Sequence, residues 1–102
     1  MVRVVETEVF REWLQGLRDR GAVARINTRI LRLRLGNPGD AAPVGEGVSE
    51  LRLMFGPGYR VYYAMEGQTL IILLAGGDKS TQSRDVARAK DLLHRWREDR
   101  DG

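Results

Sequence analysis

Two short glycine-containing turns divide the second half of the chain into three strand-like runs, and they constrain the fold more than any other feature. Gly56-Pro57-Gly58 separates a run over about residues 48–55 from one over about residues 59–65. Gly67-Gln68 separates the latter from a third run over about residues 69–75. Glycine at the first central position of a two-residue loop is typical of a type II′ hairpin turn. The sequence therefore predicts three consecutive antiparallel strands.

Helical periodicity precedes these strands. A short β-type run at residues 2–5 leads to Thr7, which is placed to cap a first helix that Gly21 ends. The apolar positions of this helix recur at helical spacing: Phe10, Trp13, Leu14 and Leu17. A second helix is predicted over about residues 22–35, and the stretch 36–47, rich in Gly, Pro and Ala, is predicted to be a loop.

A last helix is predicted after the glycine loop at residues 76–79, with Ser80 or Thr81 as its cap. The resulting order is β-α-α-β-β-β-α, which predicts a single α+β domain over residues 1–102 with an antiparallel sheet of about four strands. We expect the two N-terminal helices on one face of that sheet. The third long strand is apolar on both faces, so we expect the C-terminal helix to cover the other face.

Composition excludes several classes of function. The chain has no cysteine, which rules out disulfides and thiolate metal sites. No apolar run is long enough for a membrane span, and the N-terminus lacks a signal-like apolar segment. We therefore expect a cytoplasmic protein with no membrane partner. The formal net charge is +3, and 15 of the 17 cationic residues are arginine, the side chain best suited to grip phosphate.

Alternation along the strands predicts a cationic patch on one face of the sheet. Arg52 and Glu50 share the face opposite Leu51, and Arg60 and Tyr62 share the corresponding face of the next strand. A three-residue turn would set Arg52 opposite Tyr62. The next hairpin would then set Arg60 opposite Ala75, from which the chain runs into the loop that carries Lys79. These side chains could hold a phosphate, or could be ordinary solvated residues paired with Glu50.

Two further features are less specific. Arg25, Arg29 and Arg32 form a basic stripe on the second helix, which is either a solvated face or a contact for RNA phosphates. His94 is the single histidine, so no metal ligand cluster or histidine acid–base pair is available. We expect no metal and no cofactor.

Together, the order of elements and two segments resemble the RelE/ParE superfamily of bacterial toxins, and most closely its HigB-like branch of addiction module killer proteins. The first segment is Glu50-Leu51-Arg52-Leu53 followed by Gly58-Tyr59-Arg60-Val61-Tyr62-Tyr63. The second runs from Leu74-Ala75-Gly76-Gly77 through Asp78-Lys79-Ser80-Thr81-Gln82. The resemblance covers roughly residues 2–97.

The resemblance implies the toxin of a type II toxin–antitoxin pair, acting as an mRNA endoribonuclease (an mRNA interferase that inhibits translation), typically on the ribosome. In that reaction a ribose 2′-OH attacks the adjacent phosphate. Arg60 matches the family's arginine after Gly-Tyr and would hold the scissile phosphate, with Arg52 as a second cation and Tyr62 as an RNA contact. Lys79 would stabilise developing charge. The general base stays open between Glu50 and Lys79.

Two alternatives to the nuclease remain at this point. A ParE-type toxin would bind and poison DNA gyrase without cleaving RNA, and a third possibility is a module that only binds its antitoxin. In each case the resemblance implies a cognate HigA-like helix-turn-helix antitoxin encoded next door, with DNA bound only through the complex. Apolar surface for that partner is expected on the last helix and on an outer sheet face containing Ile71 and Leu73.

Overall fold

Five strands and three helices follow one another in the part of the chain that the structure, a computed structural model, describes, which is residues 1–101. The elements are β1 (Arg3–Glu6), α1 (Glu8–Gly16), α2 (Arg20–Arg34), β2 (Ala41–Gly45), β3 (Val48–Arg52), β4 (Tyr59–Glu66), β5 (Leu70–Asp78), a 3₁₀ turn (Lys79–Thr81) and α3 (Gln82–Asp101). The α+β class is as predicted. None of these helices is long and apolar enough to cross a bilayer.

The sheet is mixed, in the order β1-β5-β4-β3-β2. β1 runs parallel to β5, and the other three pairs are antiparallel. The predicted antiparallel sheet of about four strands is therefore wrong in both number and direction. β2 falls in the stretch predicted to be a loop: its sequence Ala-Ala-Pro-Val-Gly lacks strand-like alternation, and Pro43 is tolerated because β2 lies at an edge. The direction of β1 depends on a distant partner that no local pattern reveals.

The register between β3 and β4 differs from the prediction by two residues. Arg52 lies opposite Arg60, whereas the prediction set it opposite Tyr62. The cause is that β3 ends at Arg52, so six residues rather than three connect it to β4. A shift of two residues keeps every side chain on its predicted face. Arg60 in turn lies opposite Gly77 rather than Ala75. The β4–β5 loop has three residues rather than two, so Glu66 pairs with Leu70, and a bulge between Tyr62 and Tyr63 adds a second residue of shift.

Hydrophobic residues form a core on each face of the sheet. Toward α1 and α2 the core contains Phe10, Ile26, Leu33, Leu51, Val61, Ile71 and Leu73. Toward α3 it contains Val48, Tyr62, Ile72, Leu74, Ala89 and Leu93. The covering of the second face by the last helix is confirmed. Ile71 and Leu73 are buried beneath α1 and α2, so the expectation that they form part of an open partner surface is wrong.

Side-chain caps explain where the helices begin. Thr7 caps α1 as predicted, since its Oγ1 accepts a hydrogen bond from the Phe10 amide at 3.1 Å. α1 ends at Gly16 rather than Gly21, because Asp19 caps α2 and draws Gly21 into its first turn. The predicted Ser80 or Thr81 cap is replaced by Asp78, which accepts from the Ser80 amide at 2.8 Å and starts the 3₁₀ turn before α3.

Candidate functional site

The end of β5 forms one wall of the candidate site, and two glycines allow it to do so. The sequence predicted a loop at Gly76 and Gly77, but both lie within β5. A β-carbon at Gly76 would lie 2.1 Å from the Trp13 ring, and one at Gly77 would lie 1.9 Å from a carboxylate oxygen of Asp85. The two glycines therefore admit α1 from one face of the sheet and α3 from the other.

Arg52 and Arg60 are brought together by strand pairing. They are directly opposite each other on β3 and β4, on the face that α3 covers. The Arg60 side chain is buried, with the residue only 6% exposed, and its Nη1 donates hydrogen bonds to the carbonyls of Gly58 at 3.0 Å and Tyr59 at 3.2 Å. Arg52 Nε lies 3.2 Å from an Asp40 carboxylate oxygen.

Lys79 joins this pair from the 3₁₀ turn. Its amide donates to the Pro57 carbonyl at 3.4 Å, which joins the turn to the β3–β4 connection. A β-carbon at Gly58 would lie 3.3 Å from Lys79 Cβ and 3.5 Å from Arg60 Nη1, so both side chains border the same glycine. Lys79 is exposed and Arg52 partly exposed. We call Arg52, Arg60 and Lys79 the cation cluster.

Buried acidic groups lie against the cation cluster. Glu50 is 3% exposed and accepts hydrogen bonds from Gln82 Nε2 at 2.9 and 3.3 Å, and one of its oxygens lies 3.8 Å from Arg52 Nε. Asp85, 4% exposed, accepts a hydrogen bond from Thr81 Oγ1. Both carboxylates are therefore shielded from open solvent, and Glu50 is the one in contact with the cation cluster.

Tyr62 lies at the centre of this buried layer, opposite Glu50 across the strands. Its side chain is fully buried, and its hydroxyl has no hydrogen-bond partner among residues 1–101. Burial raises the pKa of the Tyr62 hydroxyl well above its usual range, and the negative charges of Glu50 and Asp85 raise this pKa further. An RNA contact was predicted for Tyr62, but its side chain has no accessible surface in this structure and belongs to the core beneath α3.

Sequence reasoning missed Gln82, Asp85 and Asp40, which orient or compensate the charged groups. Gln82 and Asp85 are on α3, where polar residues are usually read as solvent-facing, and Asp40 lies in a stretch read as a loop. The sequence pattern that could have drawn attention to Asp85 is its place in the first turn of a helix. That pattern is not specific, because an acidic residue there also stabilises the helix through its dipole. Their proximity to Glu50, Thr81 and Arg52 depends on tertiary packing.

The basic stripe of α2 lies apart from the cation cluster, because α2 packs on the other face of the sheet. The Arg25 guanidinium lies over the Phe55 ring at 4.5 Å from its centroid. Arg29 donates hydrogen bonds to the carbonyls of Pro38, Asp40 and Arg52, so it holds the chain around β2 and β3. Arg32 is exposed. The predicted RNA contact of this stripe stays a prediction.

Within residues 1–101, no group of three or more histidine and carboxylate side chains is placed to hold a metal ion. His94 is exposed on α3 and lies 2.7 Å from Glu98. The arrangement of the cation cluster can hold a phosphate and stabilise negative charge that develops on its oxygens.

Comparison with known proteins gives one informative match. No family model matches the chain. A protein of Haemophilus influenzae, described as an uncharacterized protein, is 47% identical to the chain over 91 residues, which cover 89% of this chain and 92% of that protein. An identity of this size over nearly the whole length of both chains means that they share the fold and the family.

Proposed function

The chain belongs to one family with the uncharacterized Haemophilus influenzae protein, and we propose that it is a RelE/ParE-type toxin of the HigB-like branch that inhibits translation by cleaving mRNA. The observation that carries the proposal is the meeting of Arg52, Arg60 and Lys79 at one end of the sheet. They come from two strands and a turn that are distant in sequence, and the resemblance assigns the same three residues to the reaction.

Arg52 and Arg60 lie directly opposite each other, and this pairing favours a functional role for the two side chains over a purely structural one. Like charges directly opposite on neighbouring strands destabilise a sheet. A pair placed only for stability would combine opposite signs, whereas Arg52 and Arg60 share one pair position. Their repulsion is offset by Asp40 and Glu50, both within 4 Å of Arg52 Nε. A phosphate that enters between the guanidinium groups would gain attraction from both.

The proposed chemistry needs positive charge at the phosphate more than it needs any other group. Attack of a ribose 2′-OH on the adjacent phosphate places additional negative charge on the phosphate oxygens and then on the leaving 5′ oxygen. Arg60, held in place by two carbonyls, would bind the phosphate with little loss of side-chain freedom. Exposed Lys79 would stabilise the leaving oxygen.

The base that accepts the 2′-OH proton has two candidates with different environments. Glu50 is buried, and both of its oxygens accept from Gln82, so it would need to exchange one of these hydrogen bonds for the substrate. Lys79 is exposed and would need to be neutral. Glu50→Gln is the variant that distinguishes them, because Lys79→Met would lose activity through the leaving oxygen whether or not Lys79 is the base. A large loss of activity in Glu50→Gln at every pH would assign the base to Glu50, and a near-normal rate would exclude it; near-normal rates in both Glu50→Gln and Lys79→Met dismiss both residues.

Partners follow from the same proposal. A toxin of this kind is neutralised by a cognate helix-turn-helix antitoxin, acts on mRNA and the ribosome in the cytoplasm of a bacterium, and meets operator DNA only through the antitoxin complex. A small helix-turn-helix protein encoded beside the gene would support this assignment directly.

The test is mRNA cleavage in a cell-free translation extract, read out by primer extension. We expect cleavage by the native protein and at least a 100-fold loss in Arg60→Lys and Lys79→Met, about 2.7 kcal/mol of transition-state stabilisation. Arg95→Ala is the matched control, because Arg95 is an exposed cation of α3 whose Nε lies 3.1 Å from Asp91, away from the cation cluster. Thermal melting by circular dichroism confirms that each variant is folded.

Three results would redirect or reject the proposal. Inhibition of supercoiling by gyrase without mRNA cleavage would assign the ParE-type activity instead. Cleavage that survives loss of both Arg60 and Lys79 in folded protein would reject the assigned site. An absence of both activities, with antitoxin binding retained, would leave a binding module.

A further inference from the structure

A groove on the opposite face of the molecule from the cation cluster combines apolar and cationic surface. It lies between α2 and the residues that follow β3, with a volume of about 370 Å³. Leu53, Met54 and Phe55 line one side, and Arg25 and Arg32 line the other. We call it the α2 groove. Met54 is 80% exposed, which is unusual for a large apolar side chain.

The charge around the α2 groove is uncompensated. α2 contains five arginines and no acidic residue. Arg29 is occupied by three backbone carbonyls, and Arg34 donates to the Val2 carbonyl. Arg25 and Arg32 form no salt bridge with any residue between positions 1 and 101. They are seven residues apart, which is two helical turns or about 10 Å along the axis.

These features fit one kind of occupant. An apolar side chain can enter the space beside Leu53 and Met54, while carboxylates two turns apart on the same ligand reach Arg25 and Arg32. A helix with acidic residues at i and i+7 and an apolar residue between them presents this pattern on one face. Methionine is well suited to such a surface, because its flexible thioether adapts to the partner.

The same observations disfavour RNA as the occupant. Single-stranded RNA is held by stacking of bases on aromatic rings as well as by phosphate contacts. The one ring in the groove, Phe55, is already covered by the Arg25 guanidinium at 4.5 Å and packs on Tyr59 at 5.6 Å between ring centroids. The uncharged remainder of the lining is Ala24, Thr28, Leu53 and Met54, none of which can stack on a base, and both terminal nitrogens of Arg29 already donate to backbone carbonyls.

We propose that the α2 groove binds an acidic amphipathic helix of a protein partner. The proposal rests on the groove and its charge alone, and it stands whether or not the cation cluster cleaves RNA. Because α2 and α3 lie on opposite faces of the sheet, a helix bound here would leave the cation cluster uncovered.

The experiment uses the full chain and a phage-displayed library of random 16-residue peptides. We expect selected peptides to share an apolar residue flanked by Asp or Glu at a spacing of one to two helical turns. Binding of a selected peptide, measured by fluorescence anisotropy, should weaken at least 30-fold in Arg25→Glu/Arg32→Glu and at least fivefold in Met54→Ser. Arg18→Glu, which changes an exposed cation outside the groove, should bind within twofold of the native protein.

Two further readouts decide between the outcomes. Affinity should fall steeply between 50 and 300 mM salt, because exposed ion pairs are screened. Selected peptides that carry no acidic residues, or that bind Arg25→Glu/Arg32→Glu as tightly as the native chain, would overturn the proposal. A 12-nucleotide oligouridine provides the test for RNA. If it binds the native chain, displaces the peptides and loses its own affinity in Arg25→Glu/Arg32→Glu, RNA is the ligand of the groove and the proposal is overturned.

Discussion

Replacement of Gly77 by alanine tests how α3 is fixed to the end of β5. The new methyl group would lie 1.9 Å from an Asp85 carboxylate oxygen. That carboxylate would have to retreat by about 1.5 Å to reach an ordinary van der Waals distance, and the retreat would break its hydrogen bond from Thr81 Oγ1. Overpacking of this kind costs ~1–3 kcal/mol. Loss of a hydrogen bond to a charged group adds ~1.5–3 kcal/mol.

Because the two effects share one movement, we expect a total of about 2–4 kcal/mol for Gly77→Ala rather than their full sum. In a domain of this size that corresponds to a fall in Tm of roughly 10–25 °C. The measurement is thermal and urea unfolding followed by circular dichroism. Gly16→Ala is the matched control: Gly16 ends α1 and no neighbouring atom lies within 4 Å of an added β-carbon. Its expected effect is neutral to stabilising, by up to ~1 kcal/mol.

A double-mutant cycle identifies the clash as the cause. In an Asp85→Ala background the obstructing carboxylate is absent, so the further cost of Gly77→Ala should fall below about 1 kcal/mol. If Gly77→Ala costs the same with and without the carboxylate, the contact with Asp85 does not explain the glycine, and the strand itself must require it.

Three further predictions concern single groups. Tyr62 keeps its proton in the folded state, because burial raises the pKa of its hydroxyl. The native protein should therefore lose stability above pH ~10 by up to ~1.4 kcal/mol per pH unit relative to Tyr62→Phe. If the free energies of unfolding of the two proteins changed equally between pH 9 and 11, the prediction would be wrong. Hydrogen bonds from Ser80 lower the pKa of Asp78, so its stabilisation is present above pH ~4 and is lost on acidification. Asp78→Ala should therefore cost ~0.5–2 kcal/mol at pH 7 and less at pH 3, as urea unfolding at both pH values would show. Thr7→Ala should lower the free energy of unfolding by ~1–2 kcal/mol in the same assay at pH 7, because Thr7 both caps α1 and donates to the Leu74 carbonyl at 2.6 Å. Thr7→Ser keeps the hydroxyl and should retain most of that stability.

Local patterns in the sequence were enough to predict which face the residues of β3 and β4 occupy, but not those of β5, where Ile71 and Leu73 lie on the opposite face from the predicted one. Alternation placed Glu50, Arg52, Arg60 and Tyr62 on one side of the sheet, and the structure keeps all four there. For β3 and β4 the predicted faces hold despite a wrong register, because the error was two residues and the side-chain period of a strand is also two. At the β4–β5 hairpin the error was one residue, since Glu66 pairs with Leu70, and this exchanged the predicted faces of Ile71 and Leu73.

What the sequence could not predict depends on partners that are distant along the chain. Gly76 and Gly77 look like loop residues until Trp13 and Asp85 are seen against them. The parallel pairing of β1 with β5 joins residues 3–6 to residues 70–73, and nothing within either segment specifies the direction. Tyr62 was predicted at the surface because alternation reports only which face a residue occupies, not whether a helix covers it.

The electrostatic balance of the cation cluster links these packing details to the proposed chemistry. Arg52 and Arg60 would repel each other if they were alone on their strands. The carboxylates of Glu50 and Asp85 are buried and accept hydrogen bonds from Gln82 and Thr81, whereas Lys79 is exposed and Arg52 is partly exposed. In the proposed reaction a phosphate would therefore meet Lys79 and Arg52 first, and the Glu50 carboxylate, 3.8 Å from Arg52 Nε, would limit the cost of keeping the cations together before it arrives. The Gln82 donor comes from the first turn of α3 and the Thr81 donor from the 3₁₀ turn before it, so the arrangement depends on a helix packed so tightly that only glycine fits beneath Asp85.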